Sequence, residues 1–83
     1  MRNMTQVKIE KESLVELIDF KLNRLRKEIE RVLNKWNYSS SKKFLEEARN
    51  GTISEAEEDA IILTNLEDEI ERLEHQKTVW LNQ

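Results

Sequence analysis

The chain offers few groups for chemistry. It has no cysteine, so thiolate-bound zinc and iron–sulfur sites are excluded. His75 is the single histidine. A carboxylate di-metal bundle needs Glu-x-x-His pairs on facing helices. Position 72 is Arg72, so His75 lacks that pairing, and one turn after Glu71 it reads as a surface side chain. Ser39, Ser40 and Ser41 would need His75 as their base, yet the helical pattern puts them at the opposite end of the molecule. Gly51 stands alone and makes no phosphate-cradling loop. The expectation is a protein that is not an enzyme, with no catalytic residue, metal or cofactor.

Binding potential lies instead with aromatic and apolar residues. Trp36, Tyr38 and Phe44 cluster near mid-chain, and Val79, Trp80 and Leu81 form an apolar tip near the end. Trp and Tyr are frequent anchors at protein interfaces. The same residues could plug the ends of a bundle. Trp36, Val79, Trp80 and Leu81 are the candidates for contact with a partner.

The elements that position these residues are helical. One glycine and no proline among 83 residues leave too few turns for an all-β fold. From 11 to 36, Val15, Ile18, Leu22, Leu25, Ile29, Val32 and Trp36 alternate three and four apart. This heptad seam predicts a long helix packed along another, with Leu14, Leu17 and Leu33 widening the stripe. From 54 to 81, Leu63, Leu66, Ile70 and Leu73 form a second seam, loosened at Lys77. Ser54 and Glu57 have capping-box spacing, and Ile61 and Ile62 make one turn apolar on more than one side. A short helix is predicted over 41–49, with serine caps before it and Asn50-Gly51 as its stop. Thr5–Glu10 alternate polar and apolar, and residues 1–10 read as an extended or strand-like arm.

The charge is unevenly divided. The net charge is −3, but residues 1–50 carry +4 and residues 51–83 carry −7. An antiparallel hairpin sets the basic stretch beside the acidic one, with Trp36 near Ala56, Leu25 near Glu67 and Glu16 near Lys77. Exposed pairs add only about 0–1 kcal/mol each, so their main effect is on orientation. The fold expected is all-α: one domain, a long antiparallel helical hairpin with a short helix at its turn. Two helices and a short third bury little, which predicts a homodimer in a four-helix bundle. No stretch reaches the length of a membrane span and no apolar leader is visible, which predicts a cytoplasmic protein without a membrane partner.

Two resemblances add to this. Thr5–Glu10 followed by Ser13–Ile18, and then Tyr38–Ala48, resemble the opening and second helix of ribbon-helix-helix DNA-binding proteins. That resemblance implies a dimeric transcriptional regulator in which Gln6 and Lys8 face bases. The first helix is about twice the usual length for that family, the second stops early at Gly51, and Glu10 would stand beside DNA. Residues 36–75, with Trp36-Asn37-Tyr38, Phe44-Leu45, Gly51 and the acidic helix, resemble small helical antitoxin-like proteins of prokaryotic toxin–antitoxin pairs. That resemblance implies an acidic regulator that wraps or plugs a protein partner.

The leading expectation is a non-enzymatic interaction module, and the alternative is a DNA-binding regulator. The seam residues Val15, Ile18, Leu22, Leu25, Ile29, Val32, Leu63, Leu66, Ile70 and Leu73 would form the dimer or partner interface. If Leu25 or Leu66 is fully buried, its truncation to Ala should cost about 2–5 kcal/mol.

Overall fold

The computed structural model describes residues 4–82, with side chains from Glu10 onward. Its elements are α1 (Met4–Lys35), α2 (Ser41–Arg49) and α3 (Glu57–Leu81), and the described residues contain no strand.

Helix α1 starts earlier than the alternation suggested. Met4–Glu10 continue the helix and are not an extended arm, while residues 1–3 lie outside the described residues. A lone strand leaves backbone N–H and C=O groups unmatched, whereas a helix pairs them within the segment. Gln6 and Lys8 are therefore helical, and a strand over Thr5–Glu10 able to pair into a ribbon is absent.

The end of α1 is set by Asn37. Its φ of +60° is left-handed, a conformation Asn tolerates better than most residues. The Tyr38 N–H donates to the Leu33 carbonyl at 2.9 Å and the Asn37 N–H to the Asn34 carbonyl at 3.2 Å. This is a Schellman closure, with Asn where glycine is usual. It turns the chain so that Tyr38 packs back on the cluster containing Leu33.

Helix α2 matches its predicted span. Ser40 Oγ accepts from the Lys43 N–H at 3.2 Å. The helix stops at Asn50, and Gly51 follows at φ +86°. The Thr52 N–H and O–H both donate to Asn50 Oδ1, at 3.0 and 2.6 Å.

Helix α3 corrects the capping-box expectation. It begins at Glu57 rather than Ser54, and Ala56 occupies the cap with no side-chain hydrogen bond. Ala56 is fully buried beside Phe44 and Leu63, and its N–H donates to the Ile53 carbonyl at 3.3 Å. Tertiary packing of the Ala56 methyl has displaced the local cap. Glu57, Glu58 and Asp59 still place negative charge at the positive end of the helix dipole.

Helices α1 and α3 run antiparallel in a hairpin of 60 × 17 × 17 Å. The interior is divided. At the turn end, Val32, Leu33, Phe44, Ala56 and Leu63 form one cluster. Toward the open end, Ile18, Leu22 and Leu73 form a second, flanked by Leu25, Ile70 and Trp80. Ion pairs run along the hairpin: Lys35–Asp59 at 2.9 Å, Arg26–Glu74 at 3.1 Å and Lys21–Glu69 at 3.4 Å. Lys77 pairs with Asp19 at 2.6 Å rather than with Glu16, so this contact falls one turn from the predicted register. No helix among the described residues is long and apolar enough to cross a membrane.

The seam is graded. Ile18, Leu22, Val32, Leu63 and Leu73 are buried, while Val15, Leu25, Ile29, Leu66 and Ile70 are half-buried. Leu63→Ala is expected to cost about 2–5 kcal/mol in urea unfolding, and Leu25→Ala and Leu66→Ala roughly half as much. A loss at Leu66 equal to that at Leu63 would show that something beyond a single chain covers it.

Candidate interaction faces

At the turn end, the aromatic residues are held by hydrogen bonds and ring contacts. Phe44 has no exposure, and Tyr38 meets it edge-on with ring centroids 5.4 Å apart. Trp36 lies against Phe44 at 6.2 Å, tilted by 40°. Trp36 Nε1–H donates to Asp59 Oδ2 at 2.8 Å, and Lys35 Nζ donates to the same oxygen at 2.9 Å. Lys35 Nζ also sits 5.5 Å from the centre of the Trp36 ring. The hydrogen bond from Lys35, then that from Trp36, holds the Asp59 carboxyl below the usual carboxylate range. Burial first, then its hydrogen bond to Glu47, pushes the Tyr38 phenol up.

Trp36, a candidate for partner contact, is half-buried at the turn. Its N–H is already satisfied and its ring packs on the core. Trp80 is likewise half-buried against Ile18, Leu22 and Leu73. Val79 and Leu81, the other tip candidates, are exposed. Leu81 borders a groove of about 450 Å³ with Lys11 and Val15 at the open end of the hairpin.

A second apolar surface lies on α1. Leu14, Leu17 and Phe20 follow one another at i, i+3 spacing and all reach solvent, with Leu17 65% and Phe20 64% exposed. Beside them, Phe20 and Leu25 line a shallow groove of about 350 Å³ edged by Lys21, Arg24 and Glu28. The heptad reading took Leu14 and Leu17 as a wider stripe and gave Phe20 no role. Phe20 falls off the seam, and the three-residue step from Leu17 is the sequence signal that marks it. On α3, Ile61 and Ile62 are both exposed, so that turn is apolar on more than the buried side. Ile61 borders a groove of about 580 Å³ between α2 and α3, with Leu45 and Ala48 opposite.

His75 is exposed on α3. Among the described residues, no three of His, Asp and Glu come together as metal ligands would. The described surface carries apolar rows and charged side chains.

The model of one protein family, described as the uncharacterized protein MJ0235 family, matches residues 3–76. The chain belongs to the MJ0235 family. The matched span takes in α1, α2 and α3 except the last five residues of α3. The Leu14–Phe20 row therefore lies inside the family's span, and Val79 and Leu81 lie beyond it. No curated protein and no solved structure matches the chain.

The Asp59 contacts give a pH prediction. Its carboxyl titrates lower when folded, so its contribution is present above the unfolded value of 3.8 and is lost as pH falls through the folded value. Asp59→Asn should cost about 1–2 kcal/mol at pH 7 in urea unfolding. The difference from wild type should shrink as pH falls below the unfolded value of 3.8, and a difference that does not change with pH would remove the charge from the explanation.

Proposed function

We propose that the chain is a non-enzymatic protein–protein interaction module that works through its helical faces. It associates with itself into a four-helix bundle and, as a small antitoxin-like regulator, engages a protein partner. The observation that carries this reading is the row Leu14, Leu17 and Phe20, three large apolar side chains in solvent on a hairpin that already has an interior. Single exposed apolar residues are ordinary, but a row beside a groove is a surface waiting to be covered.

Size supports the same reading. A chain of 83 residues with two small buried clusters is near the limit at which one core suffices. Covering the row removes more apolar area from water, at roughly 25 cal/mol per Å². Charge supports a basic partner. Helix α3 carries eight acidic and two basic side chains, and an acidic face of this kind steers toward a positive surface. The antitoxin-like resemblance of residues 36–75 points to the same class of partner.

Two measurements test the proposal. Light scattering should give twice the 10.0 kDa chain mass at micromolar concentration. Co-purification of the tagged chain from its native host should retain one stoichiometric basic protein that high salt releases. A mass of one chain at every concentration would remove the self-association, and the absence of a retained protein would remove the partner.

A further inference from the structure

We infer that the occupant of the Leu14–Leu17 flank is a second copy of this chain, joined by a two-fold axis along the hairpin so that both turns lie at one end. This rests on the self-association proposed above and specifies its face and its orientation.

The face follows from helical periodicity and one ion pair. Leu14, Leu17, Lys21 and Arg24 succeed one another three and four apart and share a flank of α1. Lys21 reaches Glu69 at 3.4 Å, which ties that flank to the Glu69 side of α3. The same periodicity places Ile62, Leu66 and Trp80 with Glu69. Helix α2 packs against the other side, where Ala60 and Thr64 border its groove. One long side of the hairpin is therefore left uncovered and carries apolar residues from both helices. The side shared by both helices runs about 38 Å, the length of the 25-residue α3, and at 17 Å wide is roughly 650 Å², within the ~600–1,000 Å² per partner of a stable interface.

The orientation follows from charge. A two-fold axis can relate these faces in two ways. An axis across the hairpin lays each helix antiparallel on its own copy. The flank of α1 that carries Lys21, Arg24, Arg31 and Lys35 would then face the same basic flank of its copy. Leu14 and Leu17 would meet the end of α1 that carries Arg31 and Lys35. An axis along the hairpin instead sets each α1 beside the α3 of the other copy. Lys21 and Arg24 then lie near the flank of α3 that carries Glu69. Lys77–Asp19 and the 3.5 Å approach of Lys11 Nζ to the Leu81 carbonyl put Leu14 and Leu17 level with the last turns of α3. The two leucines then cover the region around the partner's Trp80. All neighbouring helices are antiparallel, and the basic flank of α1 does not meet its own copy.

The chain has no cysteine, so Ser39→Cys accepts a single spin label. Ser39 is exposed, and Ser40 rather than Ser39 caps α2. In the full-length dimer, pulsed dipolar spectroscopy should give a label–label distance below roughly 35 Å, since two bodies 17 Å thick lie side by side with turns together. A distance near the 60 Å length of the hairpin would overturn the orientation and leave self-association standing. The Leu14→Glu/Leu17→Glu variant changes only exposed sites and should keep its helical content while weakening the dimer about 100-fold in sedimentation. Leu17→Glu alone should weaken it in the same sense and serves if the double variant loses helix. A dimer unchanged by these substitutions would overturn the face. A wild-type chain that never dimerises would remove the underlying proposal as well.

Discussion

Phe44 has no exposure, and its burial organises the hairpin. It is the one large side chain that α2 sends into the interior, where it meets Val32 and Leu33 from α1 and Ala56 and Leu63 from the start of α3. Without it, two antiparallel helices would touch along a line. With it, the turn end has three walls and a closed cluster. The local geometry serves that contact. Asn37 turns the chain, Ser40 starts α2, and Gly51 releases it in time for Ala56 to return. The cap of α3 is given up so that the Ala56 methyl can pack beside the ring.

The polar contacts around this cluster follow from the same placement. Asp59 sits in the first turn of α3, where the helix dipole already favours a carboxylate. There it accepts from both Lys35 and Trp36, at the last turn of α1 and just beyond it. One acidic group therefore links the end of one long helix to the beginning of the other. Farther along, Arg26–Glu74 and Lys77–Asp19 repeat the arrangement with more exposed partners. These outer pairs contribute little energy singly, but they favour the antiparallel arrangement over the parallel one.

Closure at one end leaves the other end narrow. Beyond Leu25 the buried side chains among the described residues are Ile18, Leu22 and Leu73. No third helix covers the flank there, and the large apolar residues Leu14, Leu17 and Phe20 lie in solvent. The uneven distribution of core follows from the position of the short helix: α2 can shield only the end to which it is tethered. The open flank and the acidic character of α3 are thus two results of one topology, and together they account for the interaction role proposed for the chain.

Much of the architecture was legible without coordinates. The three- and four-residue spacing from Val15 to Val32 and from Leu63 to Leu73 determined two long helices and the faces they turn toward each other, because a helix admits only one apolar line at that period. Ser40 and the Asn50-Gly51 pair determined α2 through local hydrogen bonding and backbone sterics. Tertiary structure decided what depends on distant neighbours. Whether Ser54 or Ala56 begins α3 turned on the space beside Phe44. Whether Thr5–Glu10 extends α1 or pairs as a strand turned on the absence of a strand to pair with. Trp36 reads from the sequence as an anchor or a plug, and the tertiary structure adds its ring contact with Phe44 and its hydrogen bond to Asp59. Phe20 stood outside the heptad pattern, and only the placement of α2 on the opposite side left its flank open. Periodicity describes one helix at a time, whereas burial depends on which helices arrive beside it.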